Sequence, residues 1–418
     1  MISFKFNELQ QAVKEEFSFF ASQYLRPYAE EADRVGDVPQ ELLRKPEALS
    51  YMKACIPQEY GGGYRSLIKD AEYNLANQAM LRVIMSEEIA HGDTSLYVAL
   101  PGPSLAEPVV RAFGSPEQQR RLFGIFLGDT PRWAAFAMSE PRTGSDVGAI
   151  TTTAIKRGDR YVINGKKWFI GNGARADWVV VFATVNPKQG QFGMRSFVVE
   201  RGTPGFRVGG ILPTMGMRAV QLTELVFEDC EISEENLLGG QKQDRRSGGF
   251  QAGMRTFYLM RPGVAAMAVG TARAVVEKID EEVNAIAACN SAARRWREVR
   301  SRIENMKLKV DAARLLCWQA AWLYDAGRDN SREASMAKAL GARVAMEVCA
   351  ESLEIGAAAR ISDDGRSLLD RAFRNVKVFN IAEGTGDIQR LTVLNSLLRN
   401  SRSALNQVQA SASVASLS

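Results

Sequence analysis

The chain has 418 residues, 46% of them apolar, enough to bury a large core and to divide into two or three domains. Fifty-three basic against 48 acidic side chains leave a formal charge of +5, too mild for a nucleic-acid binder but of the sign that helps draw in an anionic ligand. A single histidine, His91, excludes a metal centre built on several histidines, so acid–base chemistry here is expected to rest on a carboxylate.

Along the chain, residues 1–130 read as helical. Leu9, Val13, Phe17, Phe20 and Tyr24 recur at three- and four-residue spacing, which puts them on one helix face. The opening MISFKFNELQQAVKEEF lacks the apolar core of a signal peptide, and no run of about 18 apolar residues follows, so a cytoplasmic protein without a membrane span is expected. IPQEYGGGYRS breaks the helical pattern, and SPEQQRRLFGIFLGD restarts it with Ser115 as N-cap and Pro116 at the first helical position. Residues 131–242 change to short strands. Asn164-Gly165 reads as a hairpin turn between two of them, and WVVVFATV, RSFVVERG and LTELVFEDCEI supply more. Such a run of strands without helices between them predicts an antiparallel barrel or sandwich. Residues 243–398 return to helix, with Ile303, Met306, Val310, Ala313, Cys317 and Ala320 on one face of a bundle helix. Residues 399–418 are expected to be a flexible tail. The class is α+β. The five cysteines (Cys55, Cys230, Cys289, Cys317, Cys349) are scattered without a CxxC pair and read as buried thiols.

Four motifs could carry chemistry, and each has an ordinary alternative. AFAMSEPRTGSD, residues 135–146, brings small residues to a turn where backbone N–H groups can approach a flat or anionic ligand; a plain Gly/Ser loop is equally open. KKWFIGNG, residues 166–173, offers Trp168 or Phe169 as a stacking surface, or simply core aromatics at a strand end. FYLMRPG places Arg261 before Pro262, wanting a specific partner or starting a helix at the surface. NIAEGTGDIQR sets one carboxylate, Glu383, beside Gly384 and Gly386, where a helix breaks. Desolvated there, it has a raised pKa and can act as a base; solvated, it is an ordinary helix-end glutamate.

Taken in order, IPQEYGGG, MSEPRTGSD, INGKKWFIGNG, MRPGVAAMAVG and RNVKVFNIAEGTGDIQR resemble the acyl-CoA dehydrogenase family over residues 5–398. The resemblance implies an N-terminal helical domain, a middle β-domain and a C-terminal four-helix bundle, with FAD between the last two. It implies oxidation of the Cα–Cβ bond of an acyl thioester, with electrons passed to an electron-transfer flavoprotein. Glu383 matches the family's base, and its backbone N–H a donor to the thioester carbonyl. Phe136, Met138, Ser139, Gly144 and Ser145 match the loop lining flavin and thioester. Phe169 matches the flavin-stacking aromatic, followed by Ile170 and by Gly171 where a hydroxyl residue is common. Ser145, Tyr258, Arg261 and Gly384 fall on the substrate side, and Thr385 and Asp387 toward the FAD adenosine half.

The departures cluster. IAACNS, residues 286–291, stands where many members carry an Arg-Lys-x-Phe-Gly motif for a neighbour's FAD pyrophosphate. EIGAA, from Glu354 to Ala358, replaces Gln-x-x-Gly-Gly and would put a negative charge near that pyrophosphate. Asp387 replaces a frequent Gln, and Tyr258 a common CoA-binding Asp. These exchanges imply either a catalytic partner in a heteromer or a homodimer or homotetramer with unusual FAD contacts. The loss at Tyr258 leaves acyl-carrier-protein thioesters as an alternative to acyl-CoA. A non-catalytic subunit of a heteromeric dehydrogenase is the third reading.

Overall fold

The computed structural model describes residues 5–69, 71–76, 78–240, 249–288 and 293–399. The expected tail, residues 400–418 of it, and Cys289 to Ser291 lie outside the described residues.

The N-terminal part is helical. Helix α1 (Glu8–Phe20) starts on a capping box in which Asn7 and Gln10 exchange side-chain and backbone bonds. Val13, Phe17 and Phe20 are fully buried, each aromatic worth roughly 1.5–3 kcal/mol of burial. Leu9, placed on the same face by spacing, is 40% exposed and stays outside that core. Helix α2 (Ala79–Ala99) is buried along most of its length. Helix α3 (Pro116–Gly124) carries the expected Ser115 cap, completed by Gln118.

The middle part is one curled sheet of seven strands: β1 (Ala134–Ala137), β2 (Thr153–Arg157), β3 (Arg160–Ile170), β4 (Trp178–Thr184), β5 (Met194–Glu200), β6 (Phe206–Ile211) and β7 (Thr223–Ser233). Most pairings are antiparallel, as expected, but β1 and β2 both run parallel to β4. That explains the unbroken apolar run WVVVFAT: β4 lies inside the sheet and is buried on both faces. One face packs on N-terminal helices through Trp178, Val180 and Phe182; the other closes on Ile163, Phe197, Leu225 and Phe227.

Asn164-Gly165 is not the hairpin turn. Strand β3 runs straight through it, and the turn is Gly158-Asp159, between the paired Arg157 and Arg160. Gly158, at φ 61°, supplies the left-handed residue that a two-residue turn needs. Asn164 instead sits at a register shift against β7 and exchanges hydrogen bonds with Asp229. The Asn-Gly signal marked a bulge.

The C-terminal part is the expected bundle: α4 (Gly249–Ala288), α5 (Ala293–Asp325), α6 (Ser331–Ala359) and α7 (Asp363–Val376), followed by a terminal helix over 386–399. The stripe from Ile303 to Ala320 is buried throughout. Pro262 lies inside α4 without ending it. Its missing N–H leaves the Tyr258 carbonyl without a helical donor, and Asn330 Nδ2 takes that place at 3.0 Å.

The three parts meet at Arg374 and Asn375. Arg374 donates to Asp33 in the N-terminal part and to the Met215 carbonyl of the middle part. Asn375 Oδ1 accepts from Met217 N at 2.6 Å. The bundle and the sheet are thereby held in one register. Among the described residues, no helix is long and apolar enough to cross a membrane.

Candidate active site

Glu383 sits in the short connection between a helical turn at Lys377–Asn380 and the terminal helix. Both Glu383 (φ 58°) and Gly384 (φ 87°) are left-handed. For Gly384 this is the conformation its missing Cβ allows; for Glu383 it is strain, a mark of functional sites. Gly386 has a different task. It opens the terminal helix, which Thr385 caps by accepting from Ile388 N. The break at Glu383 is therefore a two-residue left-handed corner followed by a fresh helix start.

The Glu383 residue as a whole is partly exposed, but its Oε2 atom is buried and has no hydrogen-bond partner. Burial raises its pKa; the charges of Arg261 and Lys338 oppose that rise. The Glu383 N–H donates to no described acceptor.

Arg261 is 4% exposed, so the surface reading of that residue fails. It lies over the rings of Phe257 and Tyr258, at 5.6 and 5.2 Å to the centroids. Its Nε and Nη1 are buried without acceptors. Burial lowers its pKa, and the Glu383 charge acts the other way. A buried guanidinium and a buried carboxylate oxygen, both with unfilled hydrogen-bonding atoms, are expensive unless a ligand fills them.

Two residues that sequence reasoning missed complete this side. Lys338, on α6, is fully buried and donates to the Gly384 carbonyl. Gln389, fully buried in the terminal helix, donates through Nε2 to the carbonyls of Glu383 at 3.0 Å and Gly384 at 3.2 Å. The signal for Lys338 was readable: it falls on the repeat that buries Ala334, Ala337, Gly341 and Ala345, where a lysine has no reason to be.

The sheet side is a pair of loops locked together. Lys167 Nζ bonds the Met138 carbonyl and, at 2.8 Å, Glu140 Oε1, in a fully enclosed ion pair. Burial pushes the Glu140 carboxyl up, but Lys167 and the bonds from Thr151 and Thr152 outweigh it and hold it at about 2. Trp168 N donates to the Ser139 carbonyl. Beyond this anchor Phe169 is 60% exposed and left-handed, at φ 59°. Asn172 fixes the far end: it accepts from Arg175, donates to the Val98 carbonyl and is 1% exposed. Met138 and Ile170 are buried, Ser139 and Gly171 partly so, and Gly144 and Ser145 are exposed. The loop thus holds an aromatic face outward on a rigid base.

Phe136 bridges the two sides, edge-on to Phe257, which in turn carries Arg261. Thr143 Oγ1 is buried with no partner. An outward aromatic face, an unfilled hydroxyl and small residues at 144–145 fit the ring side of a flavin. The far side differs. Glu354, placed by sequence against a pyrophosphate, is bound to Arg302 at 3.1 Å, and Arg302 also holds Glu351. Asp387 is exposed and pairs with Arg390. Among the described residues, no cluster of His, Cys, Asp or Glu could hold a metal.

A buried carboxylate oxygen on the bundle side and an outward aromatic on the sheet side fit a flavin-dependent oxidoreductase. The chain belongs to the acyl-CoA dehydrogenase family. Family models for the N-terminal, middle and C-terminal domains of acyl-CoA dehydrogenase match residues 7–124, 135–230 and 247–398. The chain is 32% identical to the short-chain specific acyl-CoA dehydrogenase of Mus musculus mitochondria, over 95% of this chain and 92% of that one. Its fold is similar to butyryl-CoA dehydrogenase from Megasphaera elsdenii (TM-score 0.82, 28% identity, 95% of this chain and 100% of that one). It is equally similar to the prolyl acyl carrier protein oxidase AnaB (TM-score 0.82, 26% identity, 94% and 100%). The family is FAD-dependent, and the protein is an oxidoreductase.

Proposed function

We propose that the protein desaturates the Cα–Cβ bond of an acyl thioester, with Glu383 as the base that takes the α-proton. The observation that carries this reading is the buried, unpartnered Glu383 Oε2. A thioester α-proton is weakly acidic, so the base must be desolvated to take it, and burial raises the Glu383 pKa. The negative charge then grows on the thioester oxygen. The unengaged N–H of Glu383 is available to it, and the left-handed φ of Glu383 sets the side chain relative to that N–H. The charge of Arg261 opposes the rise that burial imposes on Glu383 and, with Tyr258 and Ser145, Arg261 lines the substrate side. Phe169, Ile170, Gly171, Phe136, Met138, Ser139, Gly144 and Ser145 would hold the FAD ring system, and Thr385 and Asp387 lie toward its adenosine half. FAD, when bound, supplies the acceptor for the hydride that leaves Cβ. Proton and hydride together account for the two electrons and two hydrogens lost by the substrate.

Acyl-CoA is the leading thioester, and an electron-transfer flavoprotein the expected electron acceptor. An acyl-carrier-protein thioester is the second reading. It is favoured by Tyr258 in place of the common Asp and by the likeness to a prolyl acyl carrier protein oxidase. We further propose a cytoplasmic oligomer. The Arg302–Glu354 pair supports assembly with a related subunit or unusual FAD contacts over the usual homomer. The test is anaerobic flavin reduction of the purified protein with matched CoA and carrier-protein thioesters. Bleaching by one set selects the carrier; bleaching by neither overturns the reading. A homotetramer with stoichiometric FAD and full activity would remove the heteromer.

A further inference from the structure

We infer that Lys338 and Gln389 are a positioning pair for the base: their donors hold the Glu383 and Gly384 carbonyls, and Lys338 brings a buried ammonium to the corner that carries Glu383. This rests on Glu383 being the base.

Two successive left-handed residues turn their carbonyls away from any helical ladder, so those carbonyls need donors from elsewhere. Gln389 Nε2 reaches both, and Lys338 Nζ binds the second. Gln389 alone satisfies the hydrogen-bonding requirement. Lys338 adds a charge, and burying a charge on an alanine-lined helix face is costly without a specific return.

The charged groups that face this spot come from every element packed on it. Glu383 lies in the corner, Arg261 comes from α4 and Lys338 from α6. The terminal helix offers Asp387 and Arg390, which are exposed and paired with each other at 2.7 Å. One carboxylate therefore shares this spot with two buried cations. Burial pulls the Lys338 pKa down to about 8, the Glu383 charge supports it, and Arg261 presses it lower. An ionised Glu383 therefore favours a protonated Lys338, and a protonated Lys338 favours the ionised, proton-accepting form of Glu383. Arg261 keeps two buried nitrogens without acceptors. Lys338 bonds the loop itself, so it can act before substrate arrives.

The test separates charge from hydrogen bonding. Lys338→Gln keeps a donor for Gly384 and removes the charge; Lys338→Arg keeps the charge. Glu383 protonation is read without turnover, as the infrared carboxylic-acid band that Glu383→Gln abolishes, titrated on FAD-loaded protein. Lys338→Gln should move that titration up by roughly one pH unit, a tenfold change in acidity. The acid limb of flavin reduction should move with it, with KM for the thioester nearly unchanged. Lys338→Arg should titrate near the parent. An unmoved titration in Lys338→Gln, or a shift of equal size in Lys338→Arg, overturns the inference. A protein whose flavin no thioester reduces, but whose band still moves, would break the proposed reaction and leave this coupling standing.

Discussion

On the Glu383 side, charged groups are buried and carry unfilled hydrogen-bonding atoms; on the Glu354 side, they are exposed or half-buried and paired among themselves. The first arrangement is unfavourable for an isolated chain and favourable once a ligand supplies the partners. The second is complete as it stands. A surface ion pair of that kind contributes at most about 1 kcal/mol, so it neither holds the fold nor waits for a phosphate. Unfilled hydrogen-bonding capacity, more than charge, shows which half of the site is built for a ligand by this chain alone.

The comparison can be broken most sharply at Glu383. Glu383→Gln keeps shape and should lower the rate of flavin reduction by on the order of 10³-fold, read in stopped flow, with FAD content unchanged. A loss under tenfold would place the base elsewhere. Next comes the anchor beneath the ring platform. Lys167→Met strands Glu140 in the interior and should cost about 3–5 kcal/mol in urea unfolding. The same anchor has a pH signature. The Glu140 carboxyl is depressed from 4.5 to about 2, so its contribution is fully present above pH 4.5 and lost as pH falls through about 2. Without Lys167 the carboxyl is no longer held down, so the stability lost in Lys167→Met should shrink as pH falls from 4.5 toward 2.

Phe169→Ala sharpens the contrast. The side chain is 60% exposed, so stability should stay within about 0.5 kcal/mol of the parent while FAD is lost on gel filtration. A large drop in thermal stability of the apoprotein would mean that Phe169 packs rather than stacks. The smallest effect belongs to the far side. Glu354→Gln should shift stability by under about 1 kcal/mol and raise FAD retention slightly, because Arg302 is released toward the anion. A fall in retention would show that Glu354 itself serves the cofactor.

How much of this was legible follows from what each signal reports. The α+β order and the bundle stripe are periodic patterns, and periodicity survives into structure. The Asn164-Gly165 error has the same physics as the success at Ser115: a residue pair announces a local backbone geometry, but bulges and turns share that geometry. Glu383 was singled out by its glycines, of which Gly384 makes the left-handed corner and Gly386 proved to be a helix start. Arg261 was ambiguous because Pro262 reads as a helix boundary, and only Asn330, distant in sequence, lets the helix continue. Gln389 escaped because its partners are backbone carbonyls, which no side-chain pattern displays; Lys338 was overlooked although it stands among the buried small residues of α6. The self-pairing of Glu354 escaped for a related reason: Arg302 lies on another helix.

The left-handed corner has a thermodynamic consequence. A glutamate at φ 58° is strained by about 1 kcal/mol or more, and its raised pKa adds a second penalty. The folded carboxyl holds its proton more tightly than the unfolded one, so stability falls as pH rises from 4.5 through the raised value. Near neutral pH, where the ionised form is the useful one, the fold is less stable because of its own base. Glycine at 383 would relieve both penalties. Selection for stability alone would therefore erase the residue that the proposed reaction most requires.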